Sequence, residues 1–600
     1  MICTLLAALA ALFLAPLAAL ATEATLVAPT APSDLRSSLE SKSRAIQAVE
    51  EGTVDPQELI ASAQADYARM VGVLYEYGYF GGYVSIKVDG REASEVSALR
   101  RTPRVDRIVI EVAPGPLFRF SEAGLTPLPQ GIRPVDGYAR GEVATTPIIR
   151  EAANQGVDDW REAGHAKAEV SDQDITADHR NNSVRSRIGL APGPYLVFGR
   201  SVLTQQSRDS NVRAERILAI AGIPSGEQFS PQEVRDAQRR LRETGAFRSA
   251  VVEEAETPNP DGTLDMIVDV EDTLPRRFGF GVELSNIDGL ALNAYWMHRN
   301  IFGGAERLRI DGDVAGIGGT SGGLGGSSSG VDYSVTLQLG RPAFLAPDNE
   351  LQFNIKLEHL DEPSYTSDLA EATVGVHRYF NEYLSGTLAG GFRFSTVDDA
   401  YGEREFYHIL GRGDVTYDRR NDQLDPTRGY YADLNATPFI GVSGSETGVR
   451  LYGDLRGYVP LGSDRFTLAG RLQIGNVQGA SLEGTPPDFL FFSGGGGTVR
   501  GQDYQSLGGG TIGGEDVGGQ SFVGVSAELR AKITDTIGAV AFVDYGYVSA
   551  SNDFSGGDDH AGAGIGGRYY TPIGPIRFDV AVPISGESGW GVYVGIGQAF

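Results

Sequence analysis

At 600 residues, 80 of them glycine and 41% hydrophobic overall, the chain is too long for one ordinary domain, and past its first residues it holds no apolar run long enough for a membrane-spanning helix. Its net charge of −27, with no basic cluster to displace counterions from phosphates, argues against a nucleic-acid ligand. The single cysteine, Cys3, leaves neither disulfides nor thiolate chemistry once the N-terminal segment is removed.

Residues 1–21, MICTLLAALAALFLAPLAALA, form one apolar block ending in the small-x-small pattern Ala19-Leu20-Ala21, and are expected to be a secretory signal peptide cut after that pattern. No Lys or Arg precedes the run, a departure from the usual basic start. A membrane anchor is the alternative, weighed down by the polar TEAT that follows at once. Residues 22–33, rich in Pro and Ala, read as a linker.

From 34 to 274 the punctuation of the chain recurs. Asp55-Pro56, Thr146-Pro147 and Ser230-Pro231 each place a capping side chain before a proline, and the runs that follow stop at Gly78, Gly164 and Gly245. Each stop leads to a strand and then a second β-rich run: RIVIEVAPGP, VRSRIGLAPGP and LDMIVDVED. The spacing predicts three α+β units of about 80 residues, each a strand, two helices and two strands. Their bounds are 34–117, 118–195 and 196–274. The first needs an opening strand from around Leu26 and Val27, or lacks one. A tandem of α+β domains with no shared role remains the alternative.

From 275 to 600 the helix signals stop and strands of alternating character take over. Phe278, Phe280, Val282 and Leu284 share one face; Val523, Val525, Ala527, Leu529, Ala531 and Ile533 oppose Gly524, Ser526, Glu528, Arg530 and Lys532. Ile576, Phe578, Val580, Val582 and Ile584 oppose Arg577, Asp579 and Ala581. An apolar face backed directly by charges means that the two sides of the sheet meet different solvents, which predicts a transmembrane antiparallel β-barrel of about sixteen strands with a wet lumen. A pair of soluble β-sandwiches is the alternative. The last strand, from Trp590, is expected to turn Val592, Val594, Ile596 and Phe600 outward, with Gln598 breaking that face.

Two stretches interrupt the strands. Gly316–Gly330 reads as a flexible surface loop. The segment 476–520 is far longer than a hairpin needs, and within it SGGGGTVRGQDY sets Val499, Arg500 and Gly501 at the tip of a glycine run. Alternation turns Phe542, Asp544 and Gly546 inward, so Asp544 shares the lumen with Glu528. A loop folding back into the barrel brings Arg500 to these carboxylates, where a guanidinium pairs well. The alternation leaves equally open that Asp544 and Glu528 only wet the lumen. HExxH does not occur and SGGDDHAGAG lacks the spacing of a calcium repeat, so neither an enzyme, a metal nor a cofactor is expected.

TVRGQDY, AELR, FVDYG, YDRRNDQLDPTRGYYADL and GAGIGGRYYTPIGPIRFDVAVPI resemble the surface-antigen barrel of outer-membrane assembly and translocation factors, with FGFGVELSN and NIFGGAERL similar to the way such barrels begin. The three preceding units resemble polypeptide-transport-associated (POTRA) domains. Three such units before a sixteen-stranded barrel are most similar to the TamA family of autotransporter assembly complexes. The resemblance implies a bacterial outer-membrane protein with its POTRA domains in the periplasm. It also implies a lumen latch between Arg500 and Asp544, and a weak lateral seam between the first and last strands. The partners it implies are the lipid bilayer, a TamB-like inner-membrane-anchored protein and unfolded outer-membrane clients. A two-partner-secretion export pore is the rival function, and a diffusion porin a third. The family tip commonly carries an aromatic directly after arginine-glycine, where this chain has Gln502 and Asp503 before Tyr504.

Overall fold

The computed structural model describes residues 22–97, 104–285, 289–317, 330–572, 574–586 and 590–600. The expected signal segment with Ala19 and Ala21, and most of the loop 316–330, lie outside the described residues. The chain divides into two compact units: residues up to 200 with 225–233 and 255–265, and residues 201–224, 234–254 and 266–600.

The first sheet is built from β1 (Glu23–Val27), β2 (Tyr83–Val88), β3 (Arg91–Glu92) and β4 (Arg107–Ala113), in the order β1-β4-β2-β3, with β1 parallel to β4. Helices Ser33–Lys42, Arg44–Glu50 and Pro56–Glu76 bury Leu35, Leu39, Ile60, Met70 and Leu74 against Ile86, Ile108 and Ile110. The sheet therefore begins inside the segment 22–33 expected to be a linker. Five residues suffice to pair the open edge of β4, whose backbone groups would otherwise lack partners. Asp55 caps the long helix as expected, accepting from the Gln57 amide at 3.0 Å.

The second sheet holds β5 (Arg119–Thr126), β6 (Glu169–Asp178) and β7 (Ser183–Ala191) in the order β5-β7-β6, β5 parallel to β7. Only one of its two expected helices forms, Thr146–Glu162. The stretch before it stays irregular because Pro127, Pro129 and Pro134 remove amide donors and Gly131, Gly137 and Gly141 take positive φ. The cap of that helix is also one residue earlier than expected: the Thr145 hydroxyl, not Thr146, accepts from the Ile148 amide.

The third sheet, β8 (Val197–Leu203), β9 (Phe247–Glu254) and β10 (Thr263–Asp272), has the order β8-β10-β9. In all three sheets the opening strand lies beside the closing one. Gly78, Gly164 and Gly245 stop the helices at φ of +86°, +93° and +67°, a conformation a side chain resists.

The barrel begins with β11 (Arg276–Ser285), β12 (Gly289–His298), β13 (Arg307–Ile317), β14 (Asp332–Pro342), β15 (Asn349–Glu362) and β16 (Tyr365–Tyr379). It continues through β17 (Leu384–Asp399), β18 (Gly402–Asp418), β19 (Gly429–Val442), β20 (Gly448–Leu461) and β21 (Ser463–Gln478). The long loop 479–520 carries a small hairpin of β22 (Gly510–Ile512) and β23 (Glu515–Val517). After it come β24 (Ser521–Lys532), β25 (Ile537–Ser549), β26 (Asp558–Thr571), β27 (Gly574–Ser585) and β28 (Gly591–Ile596). Leaving out the hairpin, these strands close a barrel of sixteen in sequence order.

The alternation holds around the wall. Phe278, Val525, Leu529, Phe578 and Ile584 are exposed on the outside, while Glu528, Asp544 and Asp579 are buried inside, an apolar belt around a polar lumen. The connections 299–306, 343–348 and 419–428 lie at one end of the barrel, here the turn end, and loop 479–520 enters from the other. At the turn end Arg213 donates to the Phe302 carbonyl at 2.6 Å, and Arg239 and Arg240 pair with Asp348 at 3.4 and 3.2 Å.

Phe600 departs from expectation. Rather than facing outward, it is buried inside the barrel against Tyr458 and Ala469. The strand stops at Ile596, Gly597 turns at φ +95°, and the residues after it find polar partners in the lumen.

Candidate functional site

Loop 479–520 is held in the lumen at two places by different forces. Upstream, Phe489 and Phe491 pack among Leu410, Phe439, Phe522 and Val548, with the rings of Phe491 and Phe522 stacked at 5.9 Å. Beside them Asp488 pairs with Arg393 at 2.6 Å. This apolar footing lowers the freedom of the segment that follows and delivers its tip to the wall formed by β24, β25 and β27.

At the tip, the Arg500 side chain is 4% exposed and meets three carboxylates. Its Nε and Nη2 donate to the two oxygens of Asp544 at 2.8 and 3.1 Å, and its backbone amide reaches the same group at 3.2 Å. Nη1 is shared between Glu528 at 2.9 Å and Asp579 at 3.2 Å. The Phe542 ring lies under the guanidinium, 3.5 Å from Cζ to centroid. The planar fork suits this two-pronged pairing, and the aromatic face takes the cation without competing for donors.

Two more arginines complete the charge. Arg530 donates to Glu528 at 2.9 Å, and Arg568 pairs with Asp579. Three guanidinium groups and three carboxylates thus neutralise one another where almost no water reaches, which is what makes burying six charges tolerable. The backbone also has to come close. A Cβ on Gly562 would lie 2.0 Å from the Arg500 carbonyl oxygen, so β26 needs glycine there for the tip to seat. The Gly501 amide donates to the Tyr593 hydroxyl at 3.0 Å, and Val499 is fully buried.

The structure therefore brings Val499, Arg500, Gly501, Glu528 and Asp544 together. Sequence reading did not assign Asp579, Arg568, Phe542 and Tyr593 to the cluster, although alternation had already turned Asp579 and Phe542 inward. Gln502 takes a definite place: it is 2% exposed and its amide nitrogen donates to the carbonyls of Ala561 at 2.7 Å and of Ser585. The nearest aromatic, Tyr504, donates instead to Glu362 on β15 at 3.1 Å.

The seam residues are arranged unevenly. Among the described residues, strands β11 and β28 pair at two positions, Leu284 with Val594 and Ser285 with Tyr593. Phe278, Phe280 and Val282 pair with Trp296, Ala294 and Leu292 on β12, but have no paired partner on the β28 side among the described residues. Phe278 and Phe280 are 73% and 87% exposed. Val592 and Ile596 face Val580 and Ile576 on β27. Gly597, expected within the last strand, lies just beyond it.

Among the described residues no group of three or more His, Cys, Asp or Glu side chains is placed to hold a metal ion. A closed sixteen-stranded barrel with an apolar outside, an arginine-tipped loop in its lumen and βααββ-like domains ahead of it defines an outer-membrane barrel of the POTRA-bearing kind. Residues 300–600 match the Omp85 superfamily domain, and the chain belongs to that superfamily. Among solved structures, BamA from Haemophilus ducreyi lacking POTRA domains 1–3 matches at 18% identity and a TM-score of 0.57, covering 80% of this chain and 100% of that one. CdiB from Acinetobacter baumannii matches at 14% identity and a TM-score of 0.50, covering 80% and 90%. At these identities the likeness is one of fold.

Proposed function

We propose that this protein is an assembly and translocation factor of the bacterial outer membrane that inserts or secretes autotransporter-type and other barrel proteins, using the seam between β11 and β28. The observation that carries this reading is that, among the described residues, those strands pair only at Leu284 and Ser285, which leaves residues 276–283, most of β11, without a paired partner on that side. An unpaired strand edge templates another strand through backbone hydrogen bonds, so a client strand has a ready place to add. The three N-terminal units lie in the periplasm, where they receive unfolded clients or dock a TamB-like partner along their sheet edges. The Arg500 cluster latches the loop inside while the seam works. No bond-making chemistry is needed.

The rival reading, an export pore of the two-partner-secretion kind, has one observation in its favour. Opposite the latch, the lumen keeps a cavity of about 420 Å³ lined by Lys356, Glu371, Arg393, Arg412, Asp414 and Asp488. The presence of three N-terminal sheets, where such pores usually carry two, favours the assembly reading.

A disulfide between cysteines at Leu284 and Val594, which face each other across the seam, decides between them. With the bond formed in cells, insertion of barrel clients is expected to stop and to resume on reduction. Normal client assembly through a locked seam sinks the assembly reading, and strong ion conductance after deletion of the loop then supports the pore.

A further inference from the structure

The turn 419–428 joins β18 to β19, half-way round the wall from β28, yet its contacts are with the far side. It is stiffened from within. The Asn421 side-chain oxygen accepts from the amides of Thr427 and Arg428, both at 3.0 Å, and Asp422 accepts from those of Leu424 and Asp425 at 2.7 and 2.8 Å. So braced, the turn crosses the mouth of the lumen. The Leu424 carbonyl accepts from the Gln598 amide at 3.4 Å, and the Pro426 carbonyl from Arg530 at 3.4 Å. Asp425 accepts from the Gln598 side chain at 2.8 Å.

Gln598 is the pivot. Its side-chain oxygen accepts from Arg568 at 2.7 Å while its nitrogen donates to Asp425. Arginine can only donate and a carboxylate can only accept, so a side chain with one of each is what the gap between them requires. Beyond it, the Phe600 carbonyl accepts from Arg530 at 3.0 Å, and the Phe600 ring lies 5.4 Å from that guanidinium. Both arginines belong to the Arg500 cluster, through Asp579 and Glu528.

We infer that the turn 419–428 is a clasp that seats residues 597–600 inside the lumen, with Asp425 and Gln598 as its positioning residues, and that it ties this seat to the cluster around Arg500. The last strand is thus held by side chains past its own end, where backbone pairing with β11 has stopped. That releasing the clasp helps open the seam rests on the function proposed above; the clasp itself does not.

Because Cys3 is the one cysteine in the sequence, a mature chain carrying Ala599→Cys offers a single thiol on the seated segment. The rate at which a maleimide modifies it in the folded protein in micelles reports how often the segment leaves. Removing a hydrogen bond to a charged partner by Asp425→Ala or Gln598→Ala is expected to raise that rate about tenfold, and combining the two to raise it no further. Asp425→Asn, whose side-chain oxygen still accepts, should stay near the parent. Gln598→Glu, which keeps the bond from Arg568 but repels Asp425, should match the alanine variants, and serves if either of those loses the heat-modifiable migration of a folded barrel. Arg500→Ala is expected to speed modification as well.

Rates within about twofold of the parent for both Asp425→Ala and Gln598→Glu overturn the clasp. A slow parent and an unchanged Arg500→Ala overturn its tie to the latch. The thiol rate reads the clasp whatever the Leu284–Val594 disulfide does to client assembly. A harmless disulfide with fast clasp variants removes the seam function alone, and a blocking disulfide with unchanged clasp variants removes the clasp alone.

Discussion

The wall from β24 to β27 and the junction of β11 with β28 are neighbours in one barrel and are built oppositely. On the wall, strands pair along their length: β24 with β25 from Ser521 to Lys532. Buried charge then locks a loop onto them, each carboxylate meeting more than one arginine donor. At the junction pairing among the described residues covers two positions and none of residues 276–283, glycines at 591 and 595 thin the packing, and an ion pair from Arg577 on β27 to Glu283 on β11 reaches past the terminal strand. Glu283 is 55% exposed on its side chain, where screening by water leaves such a pair little weight. A rigid wall beside a loose junction confines motion to one place. Strain on the barrel meets little resistance at the seam and much at the latch.

The contrast predicts a graded set of responses. Arg500→Ala should have the largest effect, since it leaves three buried carboxylates facing two arginines; a loss of about 3–5 kcal/mol is expected. The checks are the denaturant midpoint of the folded barrel and protease cleavage within 493–504. An unchanged midpoint and a protected loop would show the cluster to be idle and erase the contrast.

The same glycine-to-alanine change then probes each region. At Gly562 the new methyl group meets the Arg500 carbonyl, a backbone atom with nowhere to go, and should cost about 1–3 kcal/mol and loosen the loop. At Gly595 the nearest atoms are side-chain ends of Arg577 and Glu283, at 3.1 and 3.6 Å, which can shift. Gly595→Ala should therefore stay within about 0.5 kcal/mol of the parent. Equal effects at the two sites, measured as midpoint shifts in the same micelles, would mean that the junction is packed as tightly as the wall.

Much of the barrel was legible because alternation is a local property. Each strand announces its two faces without reference to its neighbours, so Glu528, Asp544 and Asp579 could be turned inward from the sequence. The helix stops at Gly78, Gly164 and Gly245 were legible for a similar reason, since positive φ is a demand of the residue itself. The missing second helix between β5 and Thr146–Glu162 was hidden by the repeat: three units in register made the middle one look like its neighbours, and its prolines decided otherwise. The cluster was half legible. Arg500 and Asp544 were paired by resemblance, while Arg568, Asp579 and Tyr593 joined only when β26 to β28 came alongside the loop.

What the sequence alone determined is therefore the period of the strands, the inward set of charges, the helix ends and the unusual length of loop 479–520, all of which depend on residues near one another in the chain. Only the tertiary structure decided that this loop is footed on Phe489 and Phe491, that its arginine divides itself among three strands, and that Gln502 and Gln598 have partners. It also decided that Phe600 turns inward. These depend on barrel closure, which sets β18 and β19 opposite β28 and brings together groups that no sequence period relates.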